Sequence, residues 1–177
     1  MSTPYIEQPG ETQLSQERAD LLDTLGKHRM LLRVTVRDLT DEQAGLRSTV
    51  SELCLGGLVK HVASTEATWV DFIERGPVAF EGDPDYSKRA ADFQMLPGDT
   101  LEDILRRYEQ VAARTDSLVR SLASLDHAQP LPPAPWFPPN ATWSARRVFI
   151  HIVAETAQHA GHADILREAI DGAKSMG

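Results

Sequence analysis

The segment Arg146-Arg147-Val148-Phe149-Ile150-His151-Ile152-Val153-Ala154-Glu155-Thr156-Ala157-Gln158-His159-Ala160-Gly161-His162-Ala163-Asp164-Ile165-Leu166-Arg167-Glu168 has the spacing of a long helix with two kinds of face. At about 100° per residue, His151, Glu155, His159 and His162 fall within an arc of roughly 80°. One helix therefore directs three imidazoles and a carboxylate to nearly the same side. Glu155 and His159 are four apart, a spacing at which two side chains can grip one metal ion. Ile152, Val153, Ile165 and Leu166 surround this face in the sequence, so a buried Glu155 charge would need a partner. A divalent cation supplies one.

Working backwards, Thr142 or Ser144 is suited to cap this helix, which should end near Asp171-Gly172. Before it, Gln129-Pro130-Leu131-Pro132-Pro133-Ala134-Pro135-Trp136-Phe137-Pro138-Pro139-Asn140 cannot be helical, because proline supplies no amide hydrogen. A third helix is expected from Thr100 to about Leu125, with His127 at its end beside the helix dipole. Residues 77–99 carry Gly82, Pro84, Pro97 and Gly98 and read as a long irregular connection, either disordered or functional, for instance a lid. A second long helix is expected from Ser51 to Glu74, stopped at Gly76-Pro77, with a stripe through Cys54, Leu58, His61, Thr65, Trp69 and Phe72. The first runs from Ser15 to about Leu39, followed by Thr40-Asp41-Glu42-Gln43, a capping box. Four amphipathic helices without a convincing strand or repeat predict an all-α fold, a four-helix bundle with long connections after its second and third helices. Residues 1–13 read as a flexible lead-in, 14–172 as a single metal-binding bundle domain and 173–177 as a tail.

Composition narrows the function. The chain has 177 residues, a single-domain length, with 41% apolar and 25% charged residues. A net charge of −8 and the lack of a basic stripe argue against a nucleic-acid binder. No apolar run approaches the roughly 20 residues that cross a bilayer, and the N-terminus lacks the pattern of a signal peptide, so a cytoplasmic location is expected. Cys54, the single cysteine, excludes an internal disulfide and a cysteine-based zinc knuckle. It shares the His61 face without an evident base beside it and reads as structural.

In a helical bundle, metal sites form where facing helices project polar residues inward. His61 is the core-facing histidine available outside the last helix. Leu55-Gly56-Gly57-Leu58-Val59-Lys60-His61-Val62-Ala63 followed by Trp69, with Glu155-x-x-x-His159-Ala160-Gly161-His162-Ala163-Asp164-Ile165-Leu166-Arg167-Glu168, resembles the DinB superfamily from about residue 14 to 172. More narrowly it resembles the actinobacterial branch of mycothiol-dependent enzymes. The resemblance implies a metal held by His61, Glu155 and His159, in the glutamate-and-histidine form found in mycothiol-dependent maleylpyruvate isomerase. The chain is short for the additional C-terminal domain of that isomerase and looks similar to the compact mycothiol S-transferases. The expected cofactor is zinc or another divalent transition metal, and the expected partners are a low-molecular-weight thiol, by resemblance mycothiol, and an electrophile.

Three protein ligands and an open fourth position make a zinc site of the catalytic kind, in which a bound thiol loses its proton and becomes a nucleophile. His162, nearly over Glu155 by helical angle, is either a donor to the ligand set, a substrate contact or a core histidine. His151 lies one turn before Glu155, as a pocket-lining residue or a bland one. Arg147 and Arg146, at the first turn, either meet an anionic group or are simply solvated. Trp69 is expected in the core, and Trp136 is preferred to Trp143 as a pocket wall. Beside the transferase stand a non-catalytic metal-binding stress protein and a metal-dependent hydrolase on the same bundle. Monomer and homodimer are both open.

Overall fold

The computed structural model describes residues 14–81 and 91–175. Its main elements are α1 (Gln16–Val34), α2 (Asp41–Ala44), α3 (Leu55–Arg75), α4 (Leu101–Ser121) and α5 (Ala145–Asp171), an all-α bundle of four long helices and one short one. The lead-in expected over 1–13 lies outside the described residues.

Local chemistry sets the helix ends. Ser15 Oγ accepts from the Arg18 amide to open α1. Asp38 adopts a left-handed φ of 62° and turns the chain after it. Thr40 and Gln43 form the expected reciprocal box, with bonds of 3.2 and 3.0 Å. The Asp41 carboxylate also accepts from the Leu101 amide at 2.7 Å, tying α2 to the start of α4. α3 begins at Leu55, four residues later than the spacing suggests. Thr49 and Ser51 hydroxyls accept from the amides two residues on, at 3.2 Å each, which favours turns over helix there. Gly76, at φ 70°, ends α3 and lets Pro77 lead into a 3-10 helix, Gly76–Phe80.

Two further departures concern the end of α4. That helix stops at Ser121, so His127 is six residues beyond it rather than at its dipole. Its ring instead pairs with the Gln129 amide, and its carbonyl accepts from Ala145 N at 2.8 Å. A small antiparallel ladder, β1 (Ala128–Pro130) with β2 (Thr142–Ser144), closes the proline-rich loop, although no strand was expected. Thr142 lies in this ladder and Ser144 caps α5, its Oγ accepting from the Arg147 amide. At the other end Ser175 N donates to Asp164, folding the tail back on α5.

α3 packs on both α4 and α5, and α1 packs chiefly on α5. The α1–α4 seam is looser and leaves an open groove of about 1130 Å³. One apolar cluster contains Leu32, Leu58, Val62, Leu101, Tyr108 and Leu166. The other contains Leu25, Trp69, Phe72, Val119, Phe149 and Ile152. Between them in sequence level lies a buried polar network: Arg29 meets Glu66 at 2.5 Å and Asp116 at 2.7 Å, and Thr115 Oγ1 donates to Glu66 at 2.6 Å. Burial disfavours the Arg29 cation, but the Glu66 and Asp116 carboxylates together outweigh it and hold its pKa above the ordinary value.

Candidate metal centre

α3 and α5 pack side by side, and their polar residues meet where the faces converge. His61, Glu155 and His159 each offer a ligand atom, and these atoms all lie within 4.8 Å of one another. Among the described residues no further histidine, cysteine, aspartate or glutamate joins the group. Glu155 Oε2 is 3.6 Å from His159 Nε2, while Oε1 is 3.6 Å from His151 Nε2. Donors no more than 4.8 Å apart are close enough for one divalent ion to be held among them. The donor set, two imidazoles and a carboxylate, fits a borderline-soft divalent ion.

Electrostatics favour an ionised carboxylate here. The His159 ring beside it holds the Glu155 pKa below its ordinary value, against an opposing effect of burial and with further help from His151 and His61. Burial dominates at His151 and lowers its pKa, reinforced by Arg147 and opposed by Glu155. The side chains of Glu155 and His151 remain 28% and 22% exposed, against 11% for His159, so the group is reached from one side.

His162 sits beside His159, their Nδ1 atoms 3.4 Å apart, rather than over Glu155 as the helical angle suggests. The i,i+3 neighbour is closer than the residue seven positions away because side chains lean back over the preceding turn. On the other flank His151 meets the edges of Trp69 and Trp143, at ring-centre distances of 4.8 and 5.1 Å. Trp69 is in the core, and Trp143 stacks on it at 4.8 Å. Arg147 lies over Trp143, 4.3 Å from its centre. Trp136 is 55% exposed, and its ring meets Phe137, which in turn meets Trp143. Trp69 and Trp143 are therefore the tryptophans beside His151. Arg146 is engaged by Glu17 and Asp126 and fastens α5 to α1 and the preceding loop.

Sequence reasoning missed Phe93, whose ring stacks on His61 at 3.8 Å and 22°. The paired glycines Gly56 and Gly57 at the start of an apolar helix are the signal that marks a close approach there. The groove between α1 and α4, and a smaller one bordered by Leu21, Arg146 and Ile150, do not include the three donors.

Fold and geometry thus define a class: an all-α bundle with a candidate metal centre between two facing helices. Residues 20–172 match the family model described as Mycothiol-S-transferase, and the chain belongs to that family, consistent with the DinB-like mycothiol branch. No curated protein matches the sequence. The chain is also similar to a solved structure titled as that of a conserved protein of a locus from Enterococcus faecalis, with a TM-score of 0.66 and 13% identity. That match covers 88% of this chain and 97% of the other, and it speaks to the fold alone. Among the described residues no helix is long and apolar enough to cross a membrane.

Proposed function

We propose that the protein is a metal-dependent thiol S-transferase that joins a low-molecular-weight thiol, mycothiol by family, to an electrophile in detoxification. His61, Glu155 and His159 would hold zinc or another divalent transition metal. The observation that carries this reading is the convergence of three donors from two helices within 4.8 Å, with no fourth protein ligand among the described residues. That pattern is of the open, catalytic kind. A metal bound there supplies Lewis acidity that makes a thiol at the open position ionise near neutral pH.

The chain's own residues prepare the place. Glu155, kept ionised beside His159, offsets part of the metal's charge and leaves the site net positive, suited to an anionic sulfur. A proton on His159 Nδ1 directed at His162 would leave the opposite nitrogen free to ligate. His151 stands beside Glu155, and beyond it Arg147, laid over Trp143, adds a cation, a surface suited to a polar, sugar-bearing thiol. In the overall reaction a sulfur–carbon bond forms. For a displacement, the carbon's bond to its leaving group breaks, that group departs with the electron pair, and the thiol proton passes to solvent. The reading places this chemistry in the cytoplasm, where thiols are kept reduced.

The test is incubation of the purified protein with zinc, mycothiol and a fluorogenic alkylating probe, the conjugate being followed by fluorescence and mass. Zinc-dependent conjugation is expected. A chelated, metal-free protein with an undiminished rate removes the metal from the mechanism. Thiol-independent cleavage of the probe would mark a hydrolase, and tight metal binding without turnover a metal-binding stress protein.

A further inference from the structure

The first turn of α3 is built to receive another piece of backbone. Leu55, Gly56, Gly57 and Leu58 are all buried. A Cβ on Gly57 would fall 2.0 Å from the Phe93 carbonyl oxygen and 2.7 Å from the Gln94 amide nitrogen. One on Gly56 would fall 2.3 Å from the Met95 sulfur. The Gly57 contact is with backbone, which cannot swing aside as a flexible side-chain end can. Any larger residue at 57 must therefore lift the strand of chain that runs from Phe93 to Met95.

The same strand is anchored further along by Lys60, from the same helix. Lys60 donates to the Gln94 carbonyl at 3.2 Å and pairs with Asp99 at 2.7 Å, and Asp99 accepts from the Leu96 amide at 2.9 Å. Cys54 Sγ also contacts the Phe93 carbonyl, at 3.7 Å. With its backbone held against Gly57, Phe93 has its ring one helical turn further along α3. There it lies nearly flat on the His61 imidazole, with ring centres 3.8 Å apart. His159 meets the same imidazole edge-on at 4.9 Å, so His61 is held between an aromatic face and a neighbouring donor.

We infer that Phe93 is a positioning residue for the metal centre: seated by Gly57, its ring fixes the orientation of His61 toward Glu155 and His159. Unlike the hydrogen-bonded partners that commonly orient ligand histidines, it acts by contact with the ring face, and it comes from a connecting segment rather than from the bundle. Loss of the ring leaves all three donors present and removes one restraint on His61, whose Nε2 also lies 3.4 Å from Thr65 Oγ1. The cost then falls on metal affinity, because the ordering of His61 must be met on binding. The inference rests on the metal reading given above.

Zinc affinity of the full chain, measured by competition with a chromophoric chelator at neutral pH, separates the two. Phe93→Ala is expected to weaken zinc binding by about 10-fold or more, the scale on which outer partners of metal ligands act. Phe93→Tyr, which keeps the stacking face, is expected to stay within about threefold of the parent protein, using that same scale. Gly57→Ala should weaken binding similarly when introduced alone and add little on top of Phe93→Ala, since both act through the one ring. Cobalt substitution supplies a second readout: the visible spectrum of the Phe93→Ala protein should shift, which a simple loss of stability does not produce. Parent protein that binds zinc, with Phe93→Ala binding equally well and an unchanged cobalt spectrum, overturns this inference alone. Parent protein that binds no zinc removes the metal reading and this inference together.

Discussion

Nδ1 of His162 lies 3.4 Å from Nδ1 of His159, while His159 Nε2 is turned toward Glu155. One of the two facing nitrogens must carry the proton for the pair to bond. If it is that of His159, the ring presents its other nitrogen as a lone pair. His162→Phe keeps the aromatic volume and removes the acceptor. It is expected to lower zinc affinity by about 10- to 100-fold with little change in the melting temperature of the metal-free protein. Chelator competition and thermal melts measure the two effects, and unchanged affinity would assign His162 to packing.

Glu155 should be the ligand whose replacement separates charge from coordination. Glu155→Ala removes both and is expected to cost more zinc affinity than the roughly 10- to 100-fold typical of an outer partner. Glu155→His restores a donor without the negative charge and should recover much of the binding. Equal affinity of all three proteins would place the metal elsewhere.

The network around Glu66 carries a prediction about stability. Its side chain is fully buried and meets Arg29 and Thr115. Glu66→Ala leaves the buried Arg29 guanidinium with Asp116 as its remaining carboxylate partner and is expected to cost about 3 kcal/mol, a large share of a domain's stability. Arg29→Met with Glu66→Leu should recover most of that loss, because the desolvation cost disappears with the charges. Urea unfolding of the single and double variants gives the comparison. A double variant as unstable as Glu66→Ala would mean that the ion pair itself is strongly stabilising.

Asp99 supplies a pH dependence. Burial disfavours its charged form, but Lys60 and the Leu96 amide prevail and hold its pKa below the ordinary value. A carboxylate shifted this way stabilises the fold above its unfolded pKa, and that contribution is lost as pH falls through the lower folded pKa. Parent protein should exceed Asp99→Asn in stability by about 0.5–1 kcal/mol at neutral pH, and the gap should close as pH falls below about 4. Melting curves across that range test it, and a gap independent of pH would exclude the ionised pair as its source.

Much of the architecture is legible from local pattern. Thr40-Asp41-Glu42-Gln43, Gly76-Pro77 and the apolar stripes each state a start, a stop or a face that a helix obeys regardless of its neighbours. The start of α3 is less legible: Thr49 and Ser51 look like capping residues, but their hydroxyls serve turns and leave Cys54, which makes no side-chain capping bond, at the N-cap. Trp136, expected as a pocket wall from its proline-rich setting, is 55% exposed. Trp143 takes the inner place because the ladder with residues 128–130 fixes it just before α5, within reach of His151.

By itself the sequence determined that one helix would align Glu155 and His159, because helical periodicity is a local property of the chain. It also marked His61 as an inward residue of a second helix. Only the tertiary structure decided that these donors lie within 4.8 Å of one another, that Phe93 covers His61 and that Arg29 answers Glu66. Each of those pairings joins residues from separate segments. Their distance is set by how apolar faces close against one another, which no spacing along a single segment encodes.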